Sequence, residues 1–319
     1  MCNINKGVET PRKGKFALKI LSASIVILLL VGFIYQSYSS YVDSTSFQMR
    51  GEMIDVGGYR LYVEDIGTGK VTVVFDAGMG DDSSVWNKVA AEVSQFSRVI
   101  TYDRAGLGWS EKSPHDRDSK VIVAELHSVL EKKEITGPII LVGHSFGGVN
   151  MQHYALTYPE YIAALVLVDS AHEDQINKMP QASLLQKYLF KFGMWAAPVG
   201  IPRLYLSNIN PEEKAKKSTT KHQYTSLDEA EYFPRSLSEL NELTPNYGDM
   251  PLVVIARNKA SSEIDNTKAR DLVWATLQEN IATRSTNSTI IFSGARQHSI
   301  HKMQPEIVIE AIQTLAESL

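Results

Sequence analysis

Gly143-His144-Ser145-Phe146-Gly147, with Gly148 behind it, places a serine between glycines at G-x-S-x-G spacing. A serine hydroxyl is a weak nucleophile until a base takes its proton, so this spacing needs a particular setting to mean anything. Here it follows an apolar run, IILVG (139–143), and opens onto the amphipathic stretch VNMQHYALTYPE. Strand, sharp turn and helix in that order are what a nucleophile elbow requires. Glycines relieve the crowding of the strained turn, and the N-terminus of the following helix favours developing negative charge. A serine in a glycine-rich turn can also bind phosphate or do no chemistry; the strand before it and the helix after it favour the nucleophile. For a base the chain offers eight histidines. As a metal pair, His298 and His301 have no evident third ligand, so zinc is not expected. The only cysteine, Cys2, precedes a long apolar segment, so the folded body has no thiolate nucleophile, disulfide or cysteine metal site.

The elements that must position this serine are legible as a rhythm. EMIDV and YRLYVEDIG, joined by Gly57-Gly58, read as a starting hairpin. VTVVFD (71–76), RVITYD (98–103), IILVG (139–143), ALVLVD (164–169), PLVVIA (251–256) and TIIFS (289–293) read as strands buried on both faces, because their apolar runs are continuous and β-branched. Helix-length stretches at 119–134, 147–158 and 264–283, and a last one after Pro305, alternate with them. That alternation predicts an α/β domain with a mainly parallel central sheet and helices on both faces. Residues 172–248 break the rhythm, being far longer than a crossover needs. They read as a helical lid inserted between core segments 52–171 and 249–319.

The N-terminus reads as an address. Residues 20–38 begin with the uncharged run ILSASIVILLLVGFIY, long enough to cross a bilayer, and 39–51 read as a polar linker. Residues 1–19 form a basic tail of net +4, leaving −8 for the remainder of a chain whose formal charge is −4. Basic residues ahead of the span put the N-terminus in the cytoplasm and the rest outside, as a single-pass cell-membrane protein. A cleaved signal peptide, giving a secreted protein, is the alternative; SYSSYVDST offers a poor cleavage site. A mildly acidic body has no electrostatic reason to bind nucleic acid. With 44% apolar and 21% charged residues, the composition is that of an ordinary globular protein.

Three further motifs join the elbow in order: DAGMG after the 71–76 strand, DRAGLGWS (103–110) and RQHSIHKMQPEIV (296–308). Together they resemble the α/β-hydrolase superfamily over about residues 52–319. The resemblance implies an α/β-hydrolase fold and a serine hydrolase with Ser145 as nucleophile. It aligns His298, seven residues before Pro305, with the base, and leaves His301 as the rival; Gln297 stands where the family usually has glycine. The usual place for the acid follows strand 251–256, where ARNKASSEIDN offers only Glu263 and Asp265. The alternate family position, after the strand that follows the nucleophile's helix, holds Asp169, which is favoured with Asp265 second. A loop-starting aspartate that caps the next turn is the other reading of Asp169. Backbone N–H groups of Phe146 and Met79 are the expected oxyanion donors. His144 is expected to pack, His172 to line the site, and Asp103 and Arg104 to bond locally.

The implied activity is hydrolysis of a carboxylic ester, esterase- or lipase-like, with an amide or peptide behind it, through an acyl-enzyme. Relatives that are dehalogenases or epoxide hydrolases need aspartate at the elbow. Acyl transfer by the same residues is an alternative, as is a ligand receptor on the same fold. The expected partners are a small-molecule substrate and, through residues 20–38, a lipid bilayer; neither metal nor organic cofactor is implied.

Overall fold

The computed structural model describes residues 12–180, 183–257, 265–294 and 297–319, with the backbone alone at 12–13 and 265–269. Its strands are β1 (Glu52–Asp55), β2 (Arg60–Ile66), β3 (Thr72–Asp76), β4 (Arg98–Tyr102), β5 (Ile139–His144), β6 (Ile162–Val168), β7 (Leu252–Ala256) and β8 (Ser288–Phe292). They form one eight-stranded sheet in the order β1-β2-β4-β3-β5-β6-β7-β8. β1 and β2 are an antiparallel hairpin, β2 runs antiparallel to β4, and every pairing from β4 to β8 is parallel. The hairpin turns on Gly57 and Gly58, at φ of 123° and 97°, values that side chains other than hydrogen resist. Asp55 fixes the turn by accepting from both of their N–H groups, at 2.7 and 3.0 Å.

The helices are α1 (Arg12–Ser46), α2 (Asn87–Val93), α3 (Ser119–Lys132), α4 (Phe146–Thr157), α5 (Gln175–Lys178), α6 (Leu184–Trp195), α7 (Ile201–Tyr205), α8 (Pro211–Lys217), α9 (Thr220–Glu242), α10 (Asp265–Ala282), α11 (Ile300–Met303) and α12 (Pro305–Ser318). Their starts follow local chemistry. Asp118 caps α3 by accepting from the Val121 N–H, Thr219 caps α9 in the same way, and Ser183 with Gln186 closes a capping box on α6. Pro305 opens α12, where a missing N–H costs nothing.

Strand residues alternate between two cores. Val74, Leu141, Leu165 and Val254 pack with Leu126 of α3 and Met151 of α4 on one face. Val73, Phe75, Ile140 and Val166 pack with Trp86, Val89 and Ile312 on the other, beneath α2 and α12. Both sheet faces are covered, which is why the buried strands read as unbroken apolar runs. Between β6 and β7 the described residues form the helices α5 to α9.

α1 departs from the sequence reading at its far end. It is long and apolar enough to cross a membrane, but it continues as helix through Ser46, across most of the segment expected as a linker. The reason is that its polar residues there have partners. Gln36 donates to the Ser218 carbonyl at 2.9 Å and accepts from Arg203 Nε at 2.8 Å, and Asp43 pairs with Arg203 at 2.7 Å.

Candidate active site

Ser145 stands between β5 and α4 with φ 54° and ψ −116°, a strained combination for a residue with a side chain. Tight packing on both sides holds it there. A Cβ on Gly147 would stand 2.4 Å from the Asp76 carbonyl oxygen, and one on Gly143 would stand 2.5 Å from that of Gly147. The backbone is tied as well: Ser145 donates to the Val168 carbonyl and accepts from Gly148 and Ala171. The hydroxyl thus sits at the N-terminus of α4, whose dipole favours negative charge.

Asp169 follows β6, also at positive φ (44°), and is fully buried. Its Oδ2 lies 2.6 Å from Nδ1 of His298. A carboxylate only accepts, so Nδ1 carries the proton and Nε2 is left with a free lone pair. Trp274 Nε1 donates to Oδ1 at 2.7 Å, the Arg257 N–H to the same oxygen at 3.1 Å, and the Arg257 guanidinium to Oδ2 at 3.2 Å. Burial alone would raise this carboxyl, but the hydrogen bond and charge of His298, then Arg257 and Trp274, hold it below the usual range. His298 itself is partly open to solvent, its side chain 39% exposed.

The backbone of residues 77–80 is held from behind by Arg104. This buried guanidinium donates to the carbonyls of Ala77 (2.7 Å) and Gly78 (2.8 Å), to Asp76 (2.6 Å) and to Glu229 of α9 (2.7 and 3.0 Å). Glu229 also accepts from the Gly80 N–H at 2.8 Å. In a trans peptide the N–H opposes the C=O. Capture of the Gly78 carbonyl therefore turns the Met79 N–H away from Arg104. Phe146 begins α4, so its N–H is one of the donors at that helix end left without a partner in the helix.

The alpha/beta hydrolase fold family model matches residues 71–197. The uncharacterized protein YqjL of Bacillus subtilis is 30% identical over 246 residues, covering 77% of this chain and 83% of that protein. The chain belongs to the α/β-hydrolase family. The 2-hydroxy-6-oxo-2,4-heptadienoate hydrolase of Pseudomonas putida is 34% identical over 122 residues, which is 37% of this chain and 44% of that enzyme. Among solved structures, an esterase from Exiguobacterium antarcticum superposes with a TM-score of 0.61 at 16% identity, over 84% of this chain and 99% of that one.

Within this hydrolase the other sequence candidates fall as follows. His301 is buried, sandwiched between the rings of Trp86 and His144 with centroids 4.4 Å from each, and makes no bond to Asp169 among the described residues. Burial, with the charges of Lys302 and His298, pushes it down to about 3. His144 does more than pack, since its Nε2 donates to the His298 carbonyl at 3.1 Å. His172 accepts from the Asp174 N–H and donates to Asn280, joining the start of the helical insertion to α10. Glu263 lies outside the described residues; Asp265 begins α10, and its side chain lies outside them too.

Asp103 bonds locally only in part: it accepts from the Trp109 N–H within its own turn, but also from Ser83, twenty positions earlier. Arg104 does not bond locally: it reaches the 77–80 loop and α9 instead. Glu229, Arg257 and Trp274 were missed. Glu229 sits in an ordinary charged stretch, DEAE, that carries no sign of burial. Trp274 is a lone aromatic in a helix, and only an aspartate already placed opposite it would give it a role.

Proposed function

We propose that the chain is a serine hydrolase that cleaves a carboxylic ester through an acyl-enzyme on Ser145. His298 acts as base, Asp169 holds it, the Met79 and Phe146 N–H groups bind the oxyanion, and α1 anchors the enzyme in a membrane with its body outside the cell. The observation that carries the reading is the 2.6 Å contact between His298 Nδ1 and Asp169, with His298's backbone bonded to His144, the residue just before a serine in strained elbow geometry. In the reaction Ser145 Oγ attacks the ester carbonyl and its proton passes to His298 Nε2. The carbonyl oxygen gains the negative charge, which the two N–H groups and the α4 dipole stabilise. Collapse expels the alcohol, which takes the proton from the imidazolium. Water then loses its proton to His298 and attacks the acyl group, and collapse frees the acid as the imidazolium returns that proton to Ser145 Oγ. Asp169 stays ionised throughout and balances the imidazolium.

The test is fluorophosphonate labelling of the wild type, Ser145→Ala and His298→Ala, followed by peptide mapping. Label on Ser145 that disappears in both variants is expected. A folded wild type left unlabelled at Ser145 would overturn the reading.

A further inference from the structure

We infer that α6 rests in the outer face of the bilayer beside α1, and that the substrate is a lipid-soluble ester that reaches the site from the membrane. The inference rests on the anchor and hydrolase readings above and adds where the insertion lies and what it admits.

The first support is the joint between α1 and the insertion. α1 meets the body along one stretch, beginning inside its apolar run. A Cβ on Gly32 would stand 2.7 Å from the Val199 carbonyl oxygen, and one on Gly200 would stand 3.0 Å from the Tyr35 ring. About one and three turns beyond Gly32, Arg203 binds Gln36 and Asp43. At 1.5 Å per residue, Phe16 to Tyr35 spans about 30 Å, the thickness of a hydrocarbon core. The turn at Ala197–Val199 thus sits where the bilayer gives way to water. α6 ends at Trp195, immediately before that turn.

The second support is the outward face of α6. Leu184, Tyr188, Phe192 and Trp195 recur at i, i+4, i+8 and i+11, with Leu185 beside them, and each is at least 66% exposed. Lys187 and Lys191 border the stripe along one edge. Five large apolar side chains in one contiguous exposed face mark a contact surface. A helix with such a face, continuous with a membrane-crossing helix, suits burial of about 5–10 Å into the headgroup boundary, lysines towards water.

The third support is what lies under α6. Leu189, Phe190 and Met194 wall a cavity of 440 Å³ that Met79 and Tyr205 also line. Met79 supplies one of the proposed oxyanion donors, so the cavity joins the bilayer-facing helix to the loop that carries that donor. Its largely apolar walls suit an acyl chain rather than a polar group.

The test uses the full-length chain in phosphatidylcholine–phosphatidylglycerol vesicles, with Cys2→Ser as background. An environment-sensitive fluorophore is placed at Leu28→Cys or Tyr188→Cys, and quenching by doxyl-labelled lipids is read. Quenching at both positions is expected. Quenching at 28 alone overturns the contact of α6 and leaves the anchor standing; quenching at neither overturns both. This readout needs no turnover, so failure of the hydrolase reading is seen separately in the labelling experiment. In the second arm, the Leu185→Glu/Tyr188→Glu double variant should lose about tenfold or more in kcat/KM on a long-chain ester embedded in the vesicles. On a short water-soluble ester it should match the wild type. Equal kcat/KM ratios on the two substrates would overturn access from the membrane.

Discussion

The imidazole of His144 donates to the backbone carbonyl of His298 across 3.1 Å, so the residue before the proposed nucleophile holds the backbone of the proposed base. Burial, with His301 and His298 as neighbours, holds His144 well below 6.5, so the ring stays neutral and its single N–H is committed to that bond. His144→Phe keeps a ring in place and leaves the carbonyl unmet. We expect kcat to fall about tenfold with KM little changed, corresponding to a penalty of about 1–2 kcal/mol on the base's position. Steady-state kinetics on a soluble ester check this, and an unchanged kcat would remove His144 from the positioning scheme.

Asp169→Asn keeps the shape of the acid while removing its charge and inviting the wrong imidazole tautomer. Loss of about 10⁴ in kcat is expected on a soluble ester. Trp274→Phe removes only one donor to Asp169, so its loss should be far smaller, about tenfold. If the two variants lost activity equally, the contact with His298 would not be what sets the rate.

Glu229→Gln leaves the Arg104 guanidinium buried with Asp76 as its remaining carboxylate partner. Removing one partner of a buried charge set costs about 3–5 kcal/mol. The urea midpoint of the detergent-solubilised protein should drop accordingly. Since the same carboxylate binds the Gly80 N–H, activity should fall more than lost folded protein explains.

Acid sensitivity follows from buried imidazoles. Burial, ahead of neighbouring charges, pushes His222 to about 4 and His301 to about 3. Unfolded, each titrates near 6.5, so between about 6.5 and those values the unfolded chain binds the extra protons. Stability is then complete above about pH 6.5 and declines as pH falls, reaching its full loss below the folded values. His301→Phe preserves the ring contact with Trp86 and removes one such proton. Between pH 7 and 5.5 it should lose about 1.3 kcal/mol less than the wild type in urea unfolding. Parallel losses would show that His301 does not contribute to acid unfolding.

Much of this molecule could be read before its structure was seen, for a physical reason. Strands covered on both faces must be continuous and β-branched, so β3 to β7 stand out, and a strained serine needs the glycines that flank Ser145. Asp169 and His298 are reached through the family resemblance, which assigns acid and base to those motif positions. Arg104 and Glu229 were not paired, because their bond spans 125 positions and depends on how α9 lies across the sheet. The helical stretch of α1 beyond Tyr38 was hidden for the same reason: its partner, Arg203, comes from α7.

The bonds between the insertion and loop 77–82 also bear on how specificity could drift. Lys216 holds Asp82 at 2.9 Å, Lys217 holds Asp81, His222 binds the Gly80 carbonyl at 2.9 Å, and Glu229 binds its N–H. Substitutions in α8 and α9 would disturb that loop, so those helices have little freedom to vary. α6 lends apolar side chains to the cavity wall without that duty. A lineage adapting to new esters, or an engineer selecting for them, would find its tolerated changes in α6 first.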